Sequence, residues 1–243
     1  MNLKRDLHAV VHKFDGQRSE RFRKLHDVRD IPRRVVVDEH LLCGTGGQNG
    51  RVIGRREVCG FADDKFGRLF LGDFWMQITF LGGSRGVPEA NRRCSCTLIE
   101  TNGRYYFIDM GVNAIDALRT RGIEVEDVKG IFITHMHGDH TNGLISFVDL
   151  ISWYFKTADP EICLPNLEGV EAIRAWLKAN HCEMRDLRFK KITDGTIFDD
   201  GYLKVTAIPT QHCPDSHAFF VEAEGKAVLF TGRCRVCAGH RWR

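Results

Sequence analysis

From Met76 onward the chain alternates apolar and polar positions in a way that its first seventy-five residues do not. MQITFLGG alternates and then opens into glycine, which predicts a strand running into a turn. CTLIET and RYYFIDMG predict two further strands, and NAIDALRTRG predicts an amphipathic helix ended by Gly122. KGIFITH predicts another strand, followed by a polar loop and a helical stretch from about Asn142 to Tyr154. EICLP then reads as a strand, LEGVEAIRAWLKAN as a helix, and LRFKKI, YLKVTAIPT, HAFFVEA and KAVLFTG as strands. Strands and helices interspersed in this way define an α/β or mixed sheet-and-helix layer fold and exclude a bundle or a pure β-sandwich. Residues 1–75 lack sustained periodicity. They offer a helix near Ser19 to Val28 and a glycine-rich loop, CGTGGQNGRVIGRREVCGF. No strand feeds GTGGQNG and no Lys-Ser/Thr helix follows it, so it does not fit a phosphate-binding loop.

Composition adds limits. A chain of 243 residues, 43% apolar and 28% charged, is ordinary globular material, enough for one large domain or two small ones. The N-terminal stretch carries neither a signal-peptide core nor an apolar run near 18 residues, which predicts a cytoplasmic protein with no membrane partner. Nine cysteines, an odd number without a secretory signal, predict reduced thiols and no disulfide framework. The net charge of +3 divides unevenly: residues 1–75 carry +4, residues 76–232 carry −5, and residues 233–243 carry four arginines and no acid. A mildly acidic domain thus lies between two basic flanks, which read either as nucleic-acid arms or as scattered surface charge.

Candidate chemistry is concentrated in ITHMHGDHTNG, residues 133–143. His135 and His137 stand at i and i+2 just beyond a strand and project to one side if the backbone stays extended. Gly138 permits a sharp turn that returns Asp139 and His140 to the same space. Imidazoles mixed with carboxylate suit zinc, or iron and manganese where carboxylate dominates. A lone histidine is ordinarily a solvated loop residue; four ligand types in six positions at a strand end predict a metal site.

His135-Met136-His137-Gly138-Asp139-His140 resembles the HxHxDH signature of the metallo-β-lactamase superfamily, with the strand ending at Asp109 upstream and His212 downstream. The resemblance covers roughly residues 76–232 and implies an αββα sandwich with a one- or two-metal hydrolytic site at one edge of its sheets. By position it implies that His135, His137 and His212 hold the first metal, that Asp139 and His140 serve the second, and that Asp109 orients the metal loop from behind. MQITFLGGSRGVPEANRRCSCTLIE and HGDHTNGL resemble tRNase Z-like and related phosphodiesterase members. That implies a phosphodiester substrate, RNA or a small nucleotide or cyclic diester; glyoxalase II-like thioesterases share the motif and stay open. No long Gly/Pro-rich arm for gripping tRNA stands between His140 and His212. The resemblance implies one or two Zn²⁺ ions, with Mn²⁺ or Fe²⁺ open, a water made acidic enough to act at neutral pH, and Asp139 as its positioner or proton acceptor. His217 reads either as a substrate-contacting proton donor or as a structural histidine. Many relatives pair up, which leaves a homodimer open.

Two features depart from the resemblance. Where the family has an aspartate that bridges both metals, in a context like FTGD, this chain reads Phe230-Thr231-Gly232-Arg233, and a guanidinium cannot ligate. The pattern also stops before the family's last histidine ligand, so the second half of the sandwich is expected to be incomplete. Residues 233–243 read as an atypical basic tail whose Cys234-x-x-Cys237-x-x-His240 has metal-like spacing but no second pair. These departures admit a chain that is an inactive fragment binding one metal. Residues 1–75 read either as an upstream region translated through a misassigned start or as a small appended domain.

Overall fold

MQITFLG forms a strand within one sheet, and it turns Met76 and Ile78 toward one core and Leu81 toward another. A computed structural model of the chain describes residues 34–37, 68–70, 76–84, 86–88, 90 and 92–231. The helix expected at Ser19 to Val28, the glycine-rich loop, Arg233 and the Cys234/Cys237/His240 group lie outside the described residues.

One sheet has seven strands in the order β2-β3-β4-β5-β6-β7-β8. These are β2 (Arg68–Phe70), β3 (Met76–Gly82), β4 (Cys96–Thr101), β5 (Arg104–Met110), β6 (Val128–Phe132), β7 (Glu161–Leu164) and β8 (Phe189–Lys191). Strands β2 to β5 pair antiparallel, and β5 to β8 pair parallel. The parallel half needs crossovers, supplied by helices α1 (Ala114–Thr120), α2 (Gly138–Trp153) and α3 (Glu168–Ala179). The other sheet has the order β1-β12-β11-β10-β9, from β1 (Arg34–Val37), β9 (Gly195–Asp199), β10 (Lys204–Pro209), β11 (His217–Ala223) and β12 (Lys226–Phe230). Strand β1 lies parallel to β12, and β2 edges the larger sheet beside β3. Both strands come from the stretch that lacked periodicity, and β9 was also not expected.

Ile78, Ile99, Ile108, Phe132, Val205, Phe219, Val221 and Phe230 fill the space between the sheets. Phe132 and Phe219 meet edge to face with centroids 6.3 Å apart, an arrangement that adds about 0.5–1.5 kcal/mol beyond burial. The opposite face of the larger sheet packs Leu98, Phe107 and Ile131 against Leu118, Leu144, Phe147, Ile151 and Ile173 of the helices. The result among the described residues is one helical layer on a two-sheet layer.

The sheets bring several chain segments to one edge. Asp109 is at the end of β5, Ile133 to His137 follow β6, and α2 begins directly after them. The turn expected after Gly138 is instead the first turn of α2, so the helix starts four residues earlier than about Asn142. His137 caps it in an extended conformation, Thr141 Oγ1 donates to the His137 carbonyl at 3.1 Å, and Asp139 places negative charge against the positive end of the helix dipole. Two glycines permit its docking. A Cβ on Gly143 would lie 1.7 Å from the Val112 carbonyl oxygen, and one on Gly111 would lie 2.0 Å from that of Asp139.

Candidate metal centre

Three imidazoles converge at this edge. Ligand atoms of His135, His137 and His212 all lie within 4.8 Å of one another. Ring centroids are 4.7 Å apart for His135 and His137, 4.7 Å for His135 and His212, and 5.1 Å for His137 and His212. His135 is buried, His212 is half-buried and His137 is exposed, so the group opens from the core to the surface. The Nε2 of His135 is buried without a hydrogen-bond partner, a position that costs stability unless something ligates it. Burial, reinforced by the charges of His140, His212 and His137 and opposed by Asp109, pushes the His135 imidazolium down to about 3. At neutral pH its ring is therefore uncharged, the form in which an imidazole nitrogen can ligate a metal. These three groups fit a divalent cation of the zinc class.

His140 joins from the first turn of α2, its ring centroid 4.0 Å from that of His135. Its Nδ1 lies 2.5 Å from Asp109 Oδ2, and its Nε2 lies 3.3 Å from Asp139 Oδ2. Burial pulls the His140 imidazolium down, but the Asp109 carboxylate, helped by Asp139, outweighs it and holds the group up at about 10. Asp109 is fully buried and has a left-handed backbone at φ +58°. Its carboxylate accepts the Thr134 amide at 2.8 Å, the Thr134 hydroxyl at 2.9 Å and the Ser95 hydroxyl at 3.3 Å. Thr134 Oγ1 also lies 3.0 Å from His135 Nδ1. One carboxylate thus fixes the main chain before His135 and the ring of His140 together, the role expected of a group behind metal-ligating imidazoles.

His212 arrives on the loop between β10 and β11, and a serine shapes that loop. The buried Ser216 hydroxyl accepts from the Thr210 hydroxyl at 2.8 Å, the Cys213 amide at 3.3 Å and the His212 amide at 3.4 Å, and donates to the Thr210 carbonyl at 3.2 Å. Sequence reasoning did not find Thr134, Ser95 or Ser216. Their only sequence signal is a small hydroxyl residue beside a motif position.

Asp139 is buried in the first turn of α2, and its Oδ2 accepts the Gly86 amide at 2.9 Å. His217 begins β11, with its amide donating to the Thr134 carbonyl at 2.9 Å. Its Nε2 lies 3.6 Å from Asp194 Oδ1, and its Nδ1 is buried without a hydrogen-bond partner. No ring contact ties it to the other four histidines among the described residues.

A two-sheet layer with His-x-His-x-Asp-His at its edge places the chain in the metallo-β-lactamase superfamily, with tRNase Z-like proteins among its relatives. More closely, residues 76–240 match the family described as anti-Pycsar protein Apyc1, and the chain belongs to that family. It is 32% identical over 157 residues to a ribonuclease Z of Shouchella clausii, covering 62% of this chain and 49% of that protein. A ribonuclease Z of Pseudomonas putida is 32% identical over 162 residues, covering 65% and 50%. The chain spans about half the length of these two relatives. Human tRNase Z, short form, superposes with a TM-score of 0.54 at 24% identity over 65% of this chain and 69% of that one. The metallo-beta-lactamase fold protein YhfI of Bacillus subtilis gives 0.51 at 19%, covering 64% and 62%. Both likenesses are of fold. No helix among the described residues is long and apolar enough to cross a membrane.

Proposed function

We propose that the chain is a metal-dependent phosphodiesterase acting on RNA or on a small nucleotide or cyclic diester. The observation that carries the reading is the convergence of His135, His137 and His212 within 4.8 Å, with Asp139 and His140 on the adjoining helix turn. His135, His137 and His212 would hold a first ion and Asp139 with His140 a second; zinc suits the set, with manganese or iron as the carboxylate share rises. An ion bound there would supply Lewis acidity and lower the pKa of its water to near neutrality.

The protein's own groups do the rest. Asp139 is held through Oδ2 by Gly86 and is placed to orient a water or take its proton. Asp109 fixes His140 so that its Nε2 faces Asp139. His217 remains a candidate proton donor, since its amide donates to the carbonyl of Thr134, the residue before His135.

RNA enters the reading through relatives named ribonuclease Z. Small diesters enter through the chain itself. Between His140 and His212 it runs through α2, β7, α3, β8, β9 and β10 with short connections and no projecting arm. Cys94, Cys163, Cys182 and Cys213 are free thiols, which favours a reducing, cytoplasmic setting.

The test is hydrolysis of bis(p-nitrophenyl) phosphate by the chain loaded with Zn²⁺ or Mn²⁺, compared with His137→Ala. Turnover that disappears in the variant supports the reading; ion binding without turnover in the parent chain contradicts it. That second outcome is what Arg233 favours, since arginine stands where the superfamily carries its bridging aspartate. It would make the chain a binder of one ion at His135, His137 and His212.

A further inference from the structure

The loop between β3 and β4 touches the site through Gly86. Its base is closed by the Ser84 amide donating to the Arg93 carbonyl at 2.8 Å. A Cβ on Gly82 would lie 1.9 Å from the Cys94 carbonyl oxygen, so the two arms of the loop touch there. Further out, the Gly86 amide donates to Asp139 Oδ2 at 2.9 Å, fifty-three residues away in sequence. Gly86 has φ +39°, a left-handed conformation that glycine adopts without strain. Asp139 is gripped from the other side as well, where its own carbonyl packs against Gly111 too closely for any side chain. His140 Nε2 lies 3.3 Å from the same Oδ2.

We propose that Gly86 is a positioning residue, whose main-chain N–H sets the orientation of the Asp139 carboxylate and thereby couples the β3–β4 loop to the affinity of the second ion site. This rests on the reading of Asp139 as a ligand of that second ion. A hydrogen bond from a main-chain amide to a carboxylate is charge-assisted and directional. Fixing one carboxylate oxygen fixes the plane of the group and the direction its other oxygen faces. The next residue, Val87, is among the most exposed apolar side chains described, so whatever touches the outside of this loop at Val87 acts one residue from the amide that holds Asp139.

The experiment is a double-mutant cycle on the full chain, read by calorimetric titration with Mn²⁺ alone. Gly86→Pro removes the N–H; Asp139→Ala removes its acceptor. Gly86→Pro is expected to weaken the second ion about 10- to 100-fold, the usual cost of removing a partner of a metal ligand. It should leave the first ion bound, and Gly86→Asn, which keeps the N–H and tolerates the positive φ, should recover most of the loss. In the Asp139→Ala background Gly86→Pro should have no further effect. An equal loss from Gly86→Pro in both backgrounds, or none in either, overturns the proposal.

If Asp139→Ala leaves both ions unchanged, the reading of Asp139 as a ligand fails as well. Because Gly86→Pro can unfold the loop, amide exchange of Gly86 in the parent chain gives a second test. The amide should be protected, and its exchange should accelerate at least about tenfold in Asp139→Ala. A fast-exchanging Gly86 amide in the parent chain overturns the proposal.

Discussion

The Nδ1 of His140 lies 2.5 Å from Oδ2 of Asp109, and both side chains are buried. The same carboxylate holds the amide and hydroxyl of Thr134, so the main chain just before His135 and the ring of His140 share one anchor. Asp109→Ala removes all of these acceptors and leaves the Thr134 and Ser95 donors buried. Breaking a buried, hydrogen-bonded pair costs about 3–5 kcal/mol. Urea denaturation should show a loss of that size, and metal titration should show affinity falling about 10- to 100-fold. An unchanged titration would separate Asp109 from the metal centre.

His212 depends on Ser216 in a comparable way, through the two amides at positions 212 and 213 that its hydroxyl accepts. Ser216→Ala should cost about 1–3 kcal/mol by leaving these donors underused. It should also weaken the first ion about tenfold by loosening the loop. Exchange at His181, which follows α3 and touches none of the site histidines, is the control; His181→Asn, suited to its φ of +60°, should leave ion binding unchanged.

Without metal, stability should fall on both sides of pH 6.5. The His135 imidazolium is pushed down to about 3, below its unfolded value of about 6.5. The unfolded chain then takes up the proton first, so stability is lost as pH falls from 6.5 toward 3. The His140 imidazolium is held up at about 10, so its contribution is complete below 6.5 and is lost as pH rises toward 10. Urea midpoints in chelator at pH 4.5, 6.5 and 9 check this. His140→Gln should flatten the alkaline limb and His135→Gln should reduce the acid one.

Gly143 tests the docking of α2. An added Cβ would lie 1.7 Å from the Val112 carbonyl oxygen, a main-chain atom that cannot swing aside. Gly143→Ala should destabilise by about 3 kcal/mol despite the better helix propensity of alanine, because overpacking outweighs it. A melting temperature that rises would mean the helix sits farther from β5 than described.

Local patterning made most of the fold legible. The strands of residues 76–110 and 204–230 alternate clearly, and α1 and α3 carry apolar residues at helical spacing with recognisable stops. Strand β9 escaped because Gly195 starts it at φ +101° and a register shift between Val205 and Thr206 interrupts its pairing with β10. Helix α2 was read as starting near Asn142 because Gly138, Asp139 and His140 look like a loop in isolation. They are helical because Gly111 and Gly143 let the chain dock closely enough to bury Asp139 and His140. At the site, histidines and aspartates declared themselves by clustering. Ser95, Thr134, Ser216 and Gly86 did not, since hydroxyls and glycines are common everywhere and their roles come from contacts across tens of residues.

Zinc-edge X-ray absorption of the chain loaded with one equivalent of Zn²⁺ tests the metal centre most directly. The account predicts three imidazole nitrogens at about 2.0–2.1 Å, completed by oxygen, with two imidazoles remaining in His212→Ala. A shell containing sulfur at about 2.3 Å, or a spectrum that His212→Ala leaves unchanged, would contradict it.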